Sequence, residues 1–382
     1  MRPRISVIIP VYNAAVSLAR CLEAVNRSDY RNFECLVADD GSADASRELA
    51  AKSGARVLST GERRGPAYAR NLAGAAARGD ILLFIDADVC VEPDTMAKIA
   101  KAFADDAALD ALIGSYDDDP ADRSFISQYK NLMHCFFHQQ AKPRASTFWT
   151  GCGAIRRRVF LSSGGFDEHY IRPCIEDIEL GSRMLRSNYR IELDPTLTVK
   201  HLKHWTFLEL LKTDIRDRAI PWTLLMIRER QIPNDLNTQW SQRLSILLAY
   251  IALSLAVPFW PASFWPASSE LASVAVVAIV MAINRRFYRF LVRRRGLFFG
   301  VLASPLHLLY FVYSGAAFAA ACLIWSGREC RRIFASGAEQ TSVSRGAERE
   351  PATRGSAAPA ALMAPIMSEA PSVDAASSTT SS

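Results

Sequence analysis

The 382-residue sequence lacks the cysteine spacing of a disulfide-stabilised or zinc-binding protein. Its eight cysteines are scattered, and no two of them are spaced as a Cys-x-x-Cys pair, so the sequence predicts neither a zinc ribbon nor a dithiol redox site. Single thiols of this kind usually pack as small apolar side chains in a reducing compartment. The first apolar run, residues 5–11, is too short for a signal peptide and is rich in strand-forming residues. We therefore expect the N-terminal part of the chain to remain in the cytoplasm.

Long apolar runs are also missing from the first part of the chain, where charged and apolar stretches alternate up to about residue 232. A membrane span needs about 20 apolar residues. Three later runs reach or approach this length, Leu244–Trp260, Leu271–Ile283 and Leu297–Trp325, the last with Pro305 as a kink or a re-entrant turn. We predict a globular domain over residues 1–232 with an interfacial helix near 205–232, a membrane region of two to four helices over 240–326, and a disordered tail over 336–382.

Acidic residues are absent from a basic block that lies between two of these apolar runs. Its aromatic neighbours and apolar flanks favour a membrane surface that carries anionic lipid over a nucleic-acid partner. The excess of positive charge places this block on the cytoplasmic side, which predicts a multi-pass protein of the inner or plasma membrane. The number of spans and the side of the tail stay open. The block consists of Arg285, Arg286, Arg289, Arg293, Arg294 and Arg295.

Strands and helices alternate along the N-terminal domain. The apolar runs 5–9, 33–38 and 81–85 are short, β-rich and separated by helix-compatible stretches, which predicts parallel strands buried on both faces. Polar residues follow these runs directly, at the edge where open α/β sheets bind their ligands. The predicted fold class is α/β, with a mostly parallel sheet that has helices on both faces, followed by C-terminal transmembrane helices.

Four motifs occur in a set order: Ser6–Asn13, Asp39–Ser42, Asp86-Ala87-Asp88 and Glu176-Asp177. This order resembles that of the family 2 glycosyltransferases over about the first 210 residues. The resemblance implies the nucleotide-sugar-binding fold called GT-A and an inverting transfer from a nucleotide-sugar, with a UDP-sugar as the expected donor. Many relatives carry Glu directly after the Asn of the first motif, whereas this chain has Ala14, which leaves the base of the donor open.

Asp86 and Asp88 follow a fully apolar run and are therefore predicted at the ligand edge of the sheet. Two carboxylates at this spacing can hold Mg²⁺ or Mn²⁺ against a diphosphate, and the cation then acts as a Lewis acid. An isolated pair of this kind is more often a pair of surface acids. The resemblance implies that Asp88 contacts the metal, that Asp86 also serves the metal or holds the ribose, and that His201 is a further ligand. His204 is the competing choice.

The resemblance also assigns the donor pocket. It implies that Asp39 binds the base of the donor nucleotide. The alternative to a binding role for this motif is a structural one, in which Asp40 or Ser42 is a helix N-cap. Arg70 is expected either to meet the diphosphate or to orient Asp86, and a solvated helix arginine is the alternative. The first wall of the nucleotide pocket is expected from Pro10, Tyr12 and Asn13.

An inverting transferase needs a carboxylate that takes the proton from the attacking hydroxyl. The resemblance gives this role to Asp177, with Glu176 in support, although two acids in the first turn of a helix are common without any such role. Trp149 is expected on the acceptor side, where it stacks on a sugar or lipid group or belongs to the core. Gly151 and Gly153 are expected to let the acceptor approach the backbone.

Processive family members carry a Gln-x-x-Arg-Trp motif, whereas the corresponding stretch here, Leu180–Met184, has neither the Gln nor the Trp. This predicts transfer of a single sugar to a hydroxyl or phosphate of a membrane lipid or lipid-linked acceptor. Four arginines of the interfacial stretch either bind an anionic acceptor head group or are solvated on the surface of the helix. They are Arg216, Arg218, Arg228 and Arg230. A nucleotidyltransferase of similar fold would need a Lys- and Gly-rich loop that this chain lacks. A non-catalytic membrane scaffold is the remaining alternative.

Overall fold

The computed structural model describes residues 3–256 and 268–347. The chain divides into two units. The first unit is residues 1–327 and contains the sheet and the cavity described below, and in the second unit, residues 328–382, the stretch 328–347 is helical.

In the described part of the chain, eight strands form one sheet in the order β3-β2-β1-β4-β7-β6-β8-β5. The first four strands in this order are parallel, as are β6 and β8, whereas β7 is antiparallel to both of its neighbours and β5 to β8. The α/β class is confirmed, but the sheet is mixed, and the predicted parallel arrangement is continuous only across the first four strands. The strands are β1 (Ile5–Val11), β2 (Phe33–Asp39), β3 (Arg56–Ser59), β4 (Ile81–Phe84), β5 (Val89–Val91), β6 (Ala111–Tyr116), β7 (Gly153–Arg156) and β8 (Ile191–His201).

Helices connect and extend this sheet. In the N-terminal domain they are α1 (Ala15–Asn26), α2 (Ser46–Lys52), α3 (Pro66–Ala76), α4 (Thr95–Asp105), α5 (Phe125–Gln140), α6 (Arg157–Ser162) and α7 (Glu176–Arg186). The C-terminal helices are α8 (Phe207–Lys212), a π-helical segment (Thr213–Ala219), α9 (Ile220–Glu229), a 3₁₀ turn (Leu236–Thr238), α10 (Trp240–Ala256), α11 (Ser268–Ile283), α12 (Arg285–Arg295) and α13 (Leu297–Ala347).

The chain reverses direction across the sheet between β3 and β4. It runs outward from β1 to β2 and β3, then returns past β1 to form β4 on the other side. Because crossovers between parallel strands are right-handed, α3 lies on the opposite face from α1 and α2. The carboxyl ends of β1 and β4 therefore flank a switch point, which is where open α/β sheets bind ligands.

The hydrophobic core surrounds these central strands. Residues Ile5–Ile9 of β1 and Ile81–Phe84 of β4 are fully buried, as their continuous apolar sequences predict. The ring of Phe84 packs against Phe148, Phe160 and Phe166, with ring centroids 5.1 to 6.3 Å away. The core thereby ties β4 to the segments that precede β7 and α7.

The predicted interfacial helix is interrupted. Residues 207–229 are helical throughout, but seven of them, Thr213–Ala219, have π-helical hydrogen bonding. Pro221 explains the change, because it cannot donate to the carbonyl of Asp217 and its ring would clash with that group in an α-helix. Three tryptophans lie in or near this stretch: Trp205 is buried, Trp222 half-buried and Trp240 exposed.

The membrane region is only partly as predicted. By length and composition, Leu297–Gly327 of α13 is the one helix among the described residues that could cross a membrane by itself. The helix α10 is shorter than a span. The helices α11 and α12 meet at a bend of 70°, so they could form a second span only as one broken helix pair. The helix α13 continues through Pro305 and on to Ala347, past the predicted start of the tail at residue 336. The end of the first predicted span, residues 257–260, lies outside the described residues, as does the tail beyond residue 347.

The basic block forms the helix α12, whose two faces differ. Phe287 and Leu291 are buried, and Phe287 packs 5.2 Å from Phe136 of α5 between ring centroids. At the C-terminal end, Arg294 Nη2 lies 2.7 Å from Asp118 Oδ2, and Arg295 Nη2 donates to the Asp118 carbonyl at 2.8 Å. The helix is therefore attached to the N-terminal domain, and exposed arginines occupy its outer face (Arg285, Arg286, Arg289 and Arg293).

Candidate active site

A cavity of about 780 Å³ opens at the switch point between β1 and β4. Pro10 and Tyr12 line it from the end of β1, and Asp86 and Asp88 line it from the end of β4. The sequence motifs that end these two strands therefore face one space, because the strands are parallel neighbours with their carboxyl ends at the same edge.

Arg70 of α3 is buried beside this cavity and joins two of the motifs. Its Nη2 lies 2.7 Å from Asp86 Oδ1, and its Nη1 lies 2.8 Å from Glu176 Oε1. Burial alone would lower the pKa of the guanidinium, but the charges of Asp86, Glu176 and Asp177 outweigh it and raise the pKa. Of the roles expected for Arg70, orientation of Asp86 is the one for which a contact is present.

Asp177 lies at the start of α7 and faces the same cavity. Its Oδ2 accepts from the backbone N–H of Thr150 at 3.2 Å, and its Oδ1 from that of Ile178 at 2.8 Å. Burial and then the negative charge of Glu176 raise the pKa of Asp177 to about 6, against the opposing effect of Arg70 and Thr150. A carboxyl with this pKa is ionised at neutral pH yet basic enough to accept a proton.

Glu176 is the more constrained of the two acids. It is buried, its Oε1 is paired with Arg70, and its Oε2 accepts from the backbone N–H of Cys174 at 2.8 Å. Glu176 is therefore held by an ion pair, whereas Asp177 accepts only hydrogen bonds from Thr150 and Ile178 and has no ion-pair partner among the described residues.

His201 lies beside Asp88 because the last residue of β8 pairs with Val89 of β5. The Nε2 of His201 is 3.6 Å from the Oδ2 of Asp88, and Tyr116 stacks on the imidazole with ring centroids 4.3 Å apart. Burial alone would raise the pKa of Asp88, but His201 and Lys203 outweigh it and lower the pKa. His204, the competing metal ligand, is exposed and pairs with Asp122 at 2.9 Å.

The metal prediction fits these residues in part. No group of three His, Cys, Asp or Glu side chains poised to hold a metal occurs within residues 3–256 and 268–347. Asp86 is engaged by Arg70, which leaves the carboxylate of Asp88 and the imidazole of His201 as an adjacent pair of donors. Such a pair suits a cation shared between protein and a phosphate ligand, since Mg²⁺ is commonly bound by one or two carboxylates plus substrate phosphates.

The wall of the expected nucleotide pocket contains an aromatic–cation pair. Tyr12 is 40% exposed, and the guanidinium of Arg63 lies 4.2 Å from the centre of its ring. Asn13 differs from this pair, because its side chain accepts from the backbone N–H of Ala43 at 2.8 Å and so braces the loop after β2. Asn13 does not line the main cavity.

Asp39 and Asp40 both serve the loops around β2. Asp39 is fully buried, with Oδ2 bonded to Arg47 at 2.7 Å and Oδ1 accepting from the backbone N–H of Ser42 at 3.2 Å. Asp40 accepts from the N–H groups of Arg64 and Gly65, both at 2.8 Å. Neither Asp40 nor Ser42 caps α2, so that alternative is wrong. Asp39 itself does not line the cavity.

Gly65 has a backbone conformation that the turn into α3 requires. Its φ is +97°, and a Cβ at this position would lie 2.6 Å from the carbonyl oxygen of Ile171. Glycine therefore allows α3 to start close to the segment before α7, and this closeness lets Arg70 reach Glu176.

Trp149 lines the cavity from within an aromatic cluster. Its ring centroid lies 4.9 Å from Tyr116 and from His138, and 5.1 Å from His134. A Cβ on Gly151 would lie 2.2 Å from the Trp149 ring, and a Cβ on Gly153 would lie 2.3 Å from the Trp149 carbonyl oxygen. The two glycines thus make room for Trp149, and neither of them lines the cavity.

A buried ion pair links the N-terminal domain to the C-terminal helices. Lys130 of α5 pairs with Asp214 of the π-helical segment, and Tyr313 of α13 donates to Asp214 Oδ2 at 2.7 Å. All three side chains line the cavity. Burial lowers the pKa of Lys130, opposed by the charge of Asp214. Sequence reasoning missed this network, since its members are 84 and 99 positions apart and no local pattern marks them.

Two histidines near Trp149, His134 and His138, were also not identified by the sequence analysis. Burial lowers the pKa of His138 to about 4, and burial together with the neighbouring His138 and Arg218 lowers the pKa of His134 well below its usual value. Both imidazoles are therefore neutral at pH 7, and His138 Nδ1 lies 3.0 Å from the Gly114 carbonyl oxygen. Their spacing of four residues on α5 was the available signal.

Comparison with known proteins agrees with the motif order. Residues 6–164 match the family model described as Glycosyl transferase family 2, and residues 131–205 match that of the N-terminal domain of galactosyltransferase. Residues 6–164 are therefore similar to a glycosyltransferase family 2 domain. This similarity confirms the predicted enzyme class, a glycosyltransferase.

The chain is 31% identical over 121 residues to glycosyltransferase GlyG of Streptococcus pneumoniae, a match that covers 30% of this chain and 40% of the relative. It is 28% identical over 220 residues to validoxylamine A glucosyltransferase of Streptomyces hygroscopicus, with 48% and 51% covered. The chain thus spans less than two thirds of the length of these relatives.

Among solved structures, a mannosyltransferase from Pyrobaculum calidifontis in complex with GDP-Man and Mn²⁺ is similar at 20% identity and a TM-score of 0.47, with 85% of this chain and 87% of that chain covered. Residues 1–349 of S. aureus TarS are similar at 17% identity and a TM-score of 0.45, with 83% and 88% covered.

Proposed function

We propose that this protein, which is similar to a glycosyltransferase family 2 domain over residues 6–164, is an inverting enzyme that transfers one sugar from a nucleotide-sugar, expected to be a UDP-sugar, to a hydroxyl or phosphate of a membrane lipid or lipid-linked acceptor. The observation that carries the proposal is the pair of buried contacts from Arg70 to Asp86 and to Glu176. They bring the acids after β4 and the candidate base Asp177 to one cavity.

Asp177 is the proposed general base. It takes the proton of an acceptor hydroxyl while the acceptor oxygen forms its bond to the anomeric carbon and the bond from that carbon to the diphosphate breaks. A single displacement inverts the anomeric configuration, and the nucleoside diphosphate leaves. The pKa of about 6 supports this role, since the carboxylate is ionised at neutral pH before the acceptor arrives.

The donor is proposed to lie between Tyr12 and Arg63 on one side and Asp86 and Asp88 on the other. Tyr12 offers an exposed ring face to the base, and Arg63 supplies a positive charge close to it. Asp39 would read the base only after a change in its contacts, because both of its oxygens are already engaged.

Asp88 and His201 are the residues proposed to hold Mg²⁺ or Mn²⁺. A bound cation would neutralise the charge that develops on the diphosphate as it leaves. In this proposal Arg70 keeps Asp86 turned toward the site and preserves the spacing between the two acidic motifs.

The protein is proposed to be anchored to the inner or plasma membrane as a multi-pass protein, with the catalytic domain on the cytoplasmic side. Leu297–Gly327 of α13 supports one span, and the exposed arginines of α12 suit an anionic lipid surface. Additional spans by α10 and by the α11–α12 pair belong to the proposal, as does transfer without processivity.

Calorimetry on the detergent-solubilised full chain tests this function. UDP-, GDP- and dTDP-sugars are titrated with Mn²⁺, with Mg²⁺ and with neither. We expect one donor to bind in a metal-dependent manner, Asp177→Asn to keep this binding and lose transfer, and Asp88→Ala to lose the metal-dependent part. If no donor binds under any condition, the scaffold alternative replaces the enzyme.

A further inference from the structure

The cavity at the candidate active site extends beyond the acids to the C-terminal helices. On that side it is lined by Trp222 and Met226 of α9, Ile246 of α10, and Ser314 and Phe318 of α13. The lining is mainly apolar, and α13 is the helix whose length and composition suit a membrane span. A molecule in the cavity can therefore contact both Asp177 and the helices of the proposed membrane region.

The charges in this part of the cavity are paired within the protein, with one exception. Asp214 is bonded to Lys130 and Tyr313, and Asp217 is bonded to Arg216 through its Nε at 2.7 Å. The other cavity-lining cations are engaged as well: Arg70 with its two acids, Arg243 with the carbonyls of Thr238 and Pro233, Lys203 over the Trp205 ring, and Arg63 over Tyr12.

Arg218 is the exception. It lies on the π-helical segment, is half-buried and lines the cavity, yet it makes no hydrogen bond or ion pair with any residue that the structure describes. Its positive charge, like that of Arg70, opposes the rise in the pKa of Asp177 that burial and Glu176 cause. A half-buried guanidinium without an anion is unfavourable, because burial removes part of its hydration.

We propose that the cavity binds a lipid that carries a phosphate in its headgroup, with the phosphate on Arg218 and the apolar chain between α9, α10 and α13. The inference rests on the proposed transferase function, since this lipid would be the acceptor. A guanidinium binds phosphate oxygens through two parallel N–H groups, and a headgroup held there lies beside Asp177. The apolar lining beyond Arg218 would make few contacts with a soluble phosphorylated acceptor, whereas an alkyl or isoprenoid chain would bury apolar surface against it.

The wide turn at the π-helical segment supports this assignment. Pro221 interrupts the α-helical hydrogen bonding, and the resulting segment is held at Asp214 by Lys130 and Tyr313. Arg218 is thereby positioned by a residue of α5 and a residue of α13 rather than by its own helix alone.

Photolabelling of the full chain in neutral detergent tests the binding site without requiring transfer. The probe is dodecyl phosphate with a diazirine in the alkyl chain, and mass spectrometry maps the labelled residues. We expect labels on α10 and α13 residues that line the cavity, a loss of about tenfold in labelling for Arg218→Gln, and partial retention for Arg218→Lys. Arg230→Gln is the matched control, since Arg230 lies at the end of α9, is exposed and does not line the cavity.

A second pair of variants tests the apolar part. Ser314→Phe adds a ring to the cavity and should reduce labelling by a similar factor, whereas Ala316→Phe on the exposed side of the same helix should leave it unchanged. Melting temperatures of all variants identify any that fail to fold, and the Arg218→Lys and Ala316→Phe variants keep the test decisive in that case.

Three results would overturn the inference: labelling of Arg218→Gln at the parent level, equal labelling of the same residues by the corresponding diazirine alcohol, or displacement by inorganic phosphate as effective as by unlabelled dodecyl phosphate. The last result would point to a soluble phosphorylated ligand. Donor calorimetry on the same samples separates the two proposals, because loss of donor binding contradicts the transferase function while labelling reports the lipid site alone.

Discussion

Arg70 Nη1 and Glu176 Oε1 lie 2.8 Å apart although 106 positions separate the two residues in the chain. Both side chains are about 5% exposed, and the same guanidinium also holds Asp86. The contact joins α3, the helix that follows β3, to α7, the helix whose first turn contains the candidate base Asp177. It makes the spacing between the donor side and the acceptor side of the cavity depend on one buried cation.

We expect Arg70→Ala to destabilise the fold as well as reduce activity. The substitution leaves Glu176 buried without its cation, and loss of one partner of a buried ion pair costs about 3–5 kcal/mol. Denaturant unfolding measures the change. Arg27→Ala is the control, because Arg27 pairs with Glu23 in an exposed i,i+4 contact that is worth about 0–1 kcal/mol. Similar losses in the two variants would contradict the structural role of Arg70.

Transfer to a hydroxyl should decline below about pH 6, because protonation of Asp177 removes the base. The single-turnover rate with saturating donor and acceptor, measured between pH 5 and pH 8, should fall by about tenfold for each pH unit on the acid side. A rate that is flat through this range would exclude Asp177 as the base or identify a phosphate acceptor, which needs no proton removed.

The raised pKa of Asp177 also predicts how the stability of the fold depends on pH. The folded-state pKa of Asp177 is raised above the ordinary value, so the folded state binds more protons than the unfolded state between about pH 4 and pH 6. The contribution of Asp177 to folding therefore becomes less favourable as the pH rises through this window. We expect Asp177→Asn to raise the melting temperature relative to the parent at pH 7.5 and to raise it less at pH 5; the opposite ordering would contradict the sign of the shift.

His201 and His204 are three positions apart and provide a matched pair for the metal site. We expect His201→Ala to weaken Mn²⁺-dependent donor binding by about tenfold, the factor typical of lost metal-site contacts. His204→Ala should have no such effect, because His204 is exposed and paired with Asp122. Calorimetry at several Mn²⁺ concentrations makes the comparison. Equal behaviour of the two variants would remove His201 from the site.

The contact between Asp214 and Tyr313 should make the N-terminal domain and α13 unfold together. Tyr313→Phe removes a hydrogen bond to a buried charged group, which costs about 1.5–3 kcal/mol. Tyr250→Phe is the control, since its hydroxyl donates to the neutral Val312 carbonyl at 2.8 Å and its loss should cost about 0.5–1.5 kcal/mol. Thermal unfolding in neutral detergent ranks the two variants, and the reverse order would contradict the structural role of the contact between Tyr313 and Asp214.

Much of the N-terminal domain follows from local sequence pattern. The apolar runs that form β1, β2 and β4 were located within one or two residues, because buried strands of a parallel sheet have a nearly continuous apolar sequence. The strand β7 and its antiparallel pairing were not predicted. Its four residues, Gly153–Arg156, carry no alternation, and the pairing partner β4 is about 70 positions away in the chain.

For the C-terminal helices, sequence composition predicted the helices but not how they are packed. The apolar runs predicted the helices α10, α11 and α13, but composition alone could not distinguish a span from a helix that packs on the globular domain. The basic block likewise predicted a charged surface without indicating that Arg294 and Arg295 attach α12 to residues near Asp118. Such pairings depend on chain segments that are distant in sequence.

By itself, the sequence determined which residues end the central strands, and therefore that Tyr12, Asp86 and Asp88 meet at one edge, because parallel strands expose their carboxyl ends together. Only the tertiary structure decided which of these residues are free to act. Asp86 and Glu176 are held by Arg70, Gly151 and Gly153 accommodate Trp149, and Arg218 alone among the described cavity cations has no partner. The physical reason is that burial and pairing arise between segments whose distance in the chain exceeds any local pattern, and these contacts set the charge and the availability of each side chain.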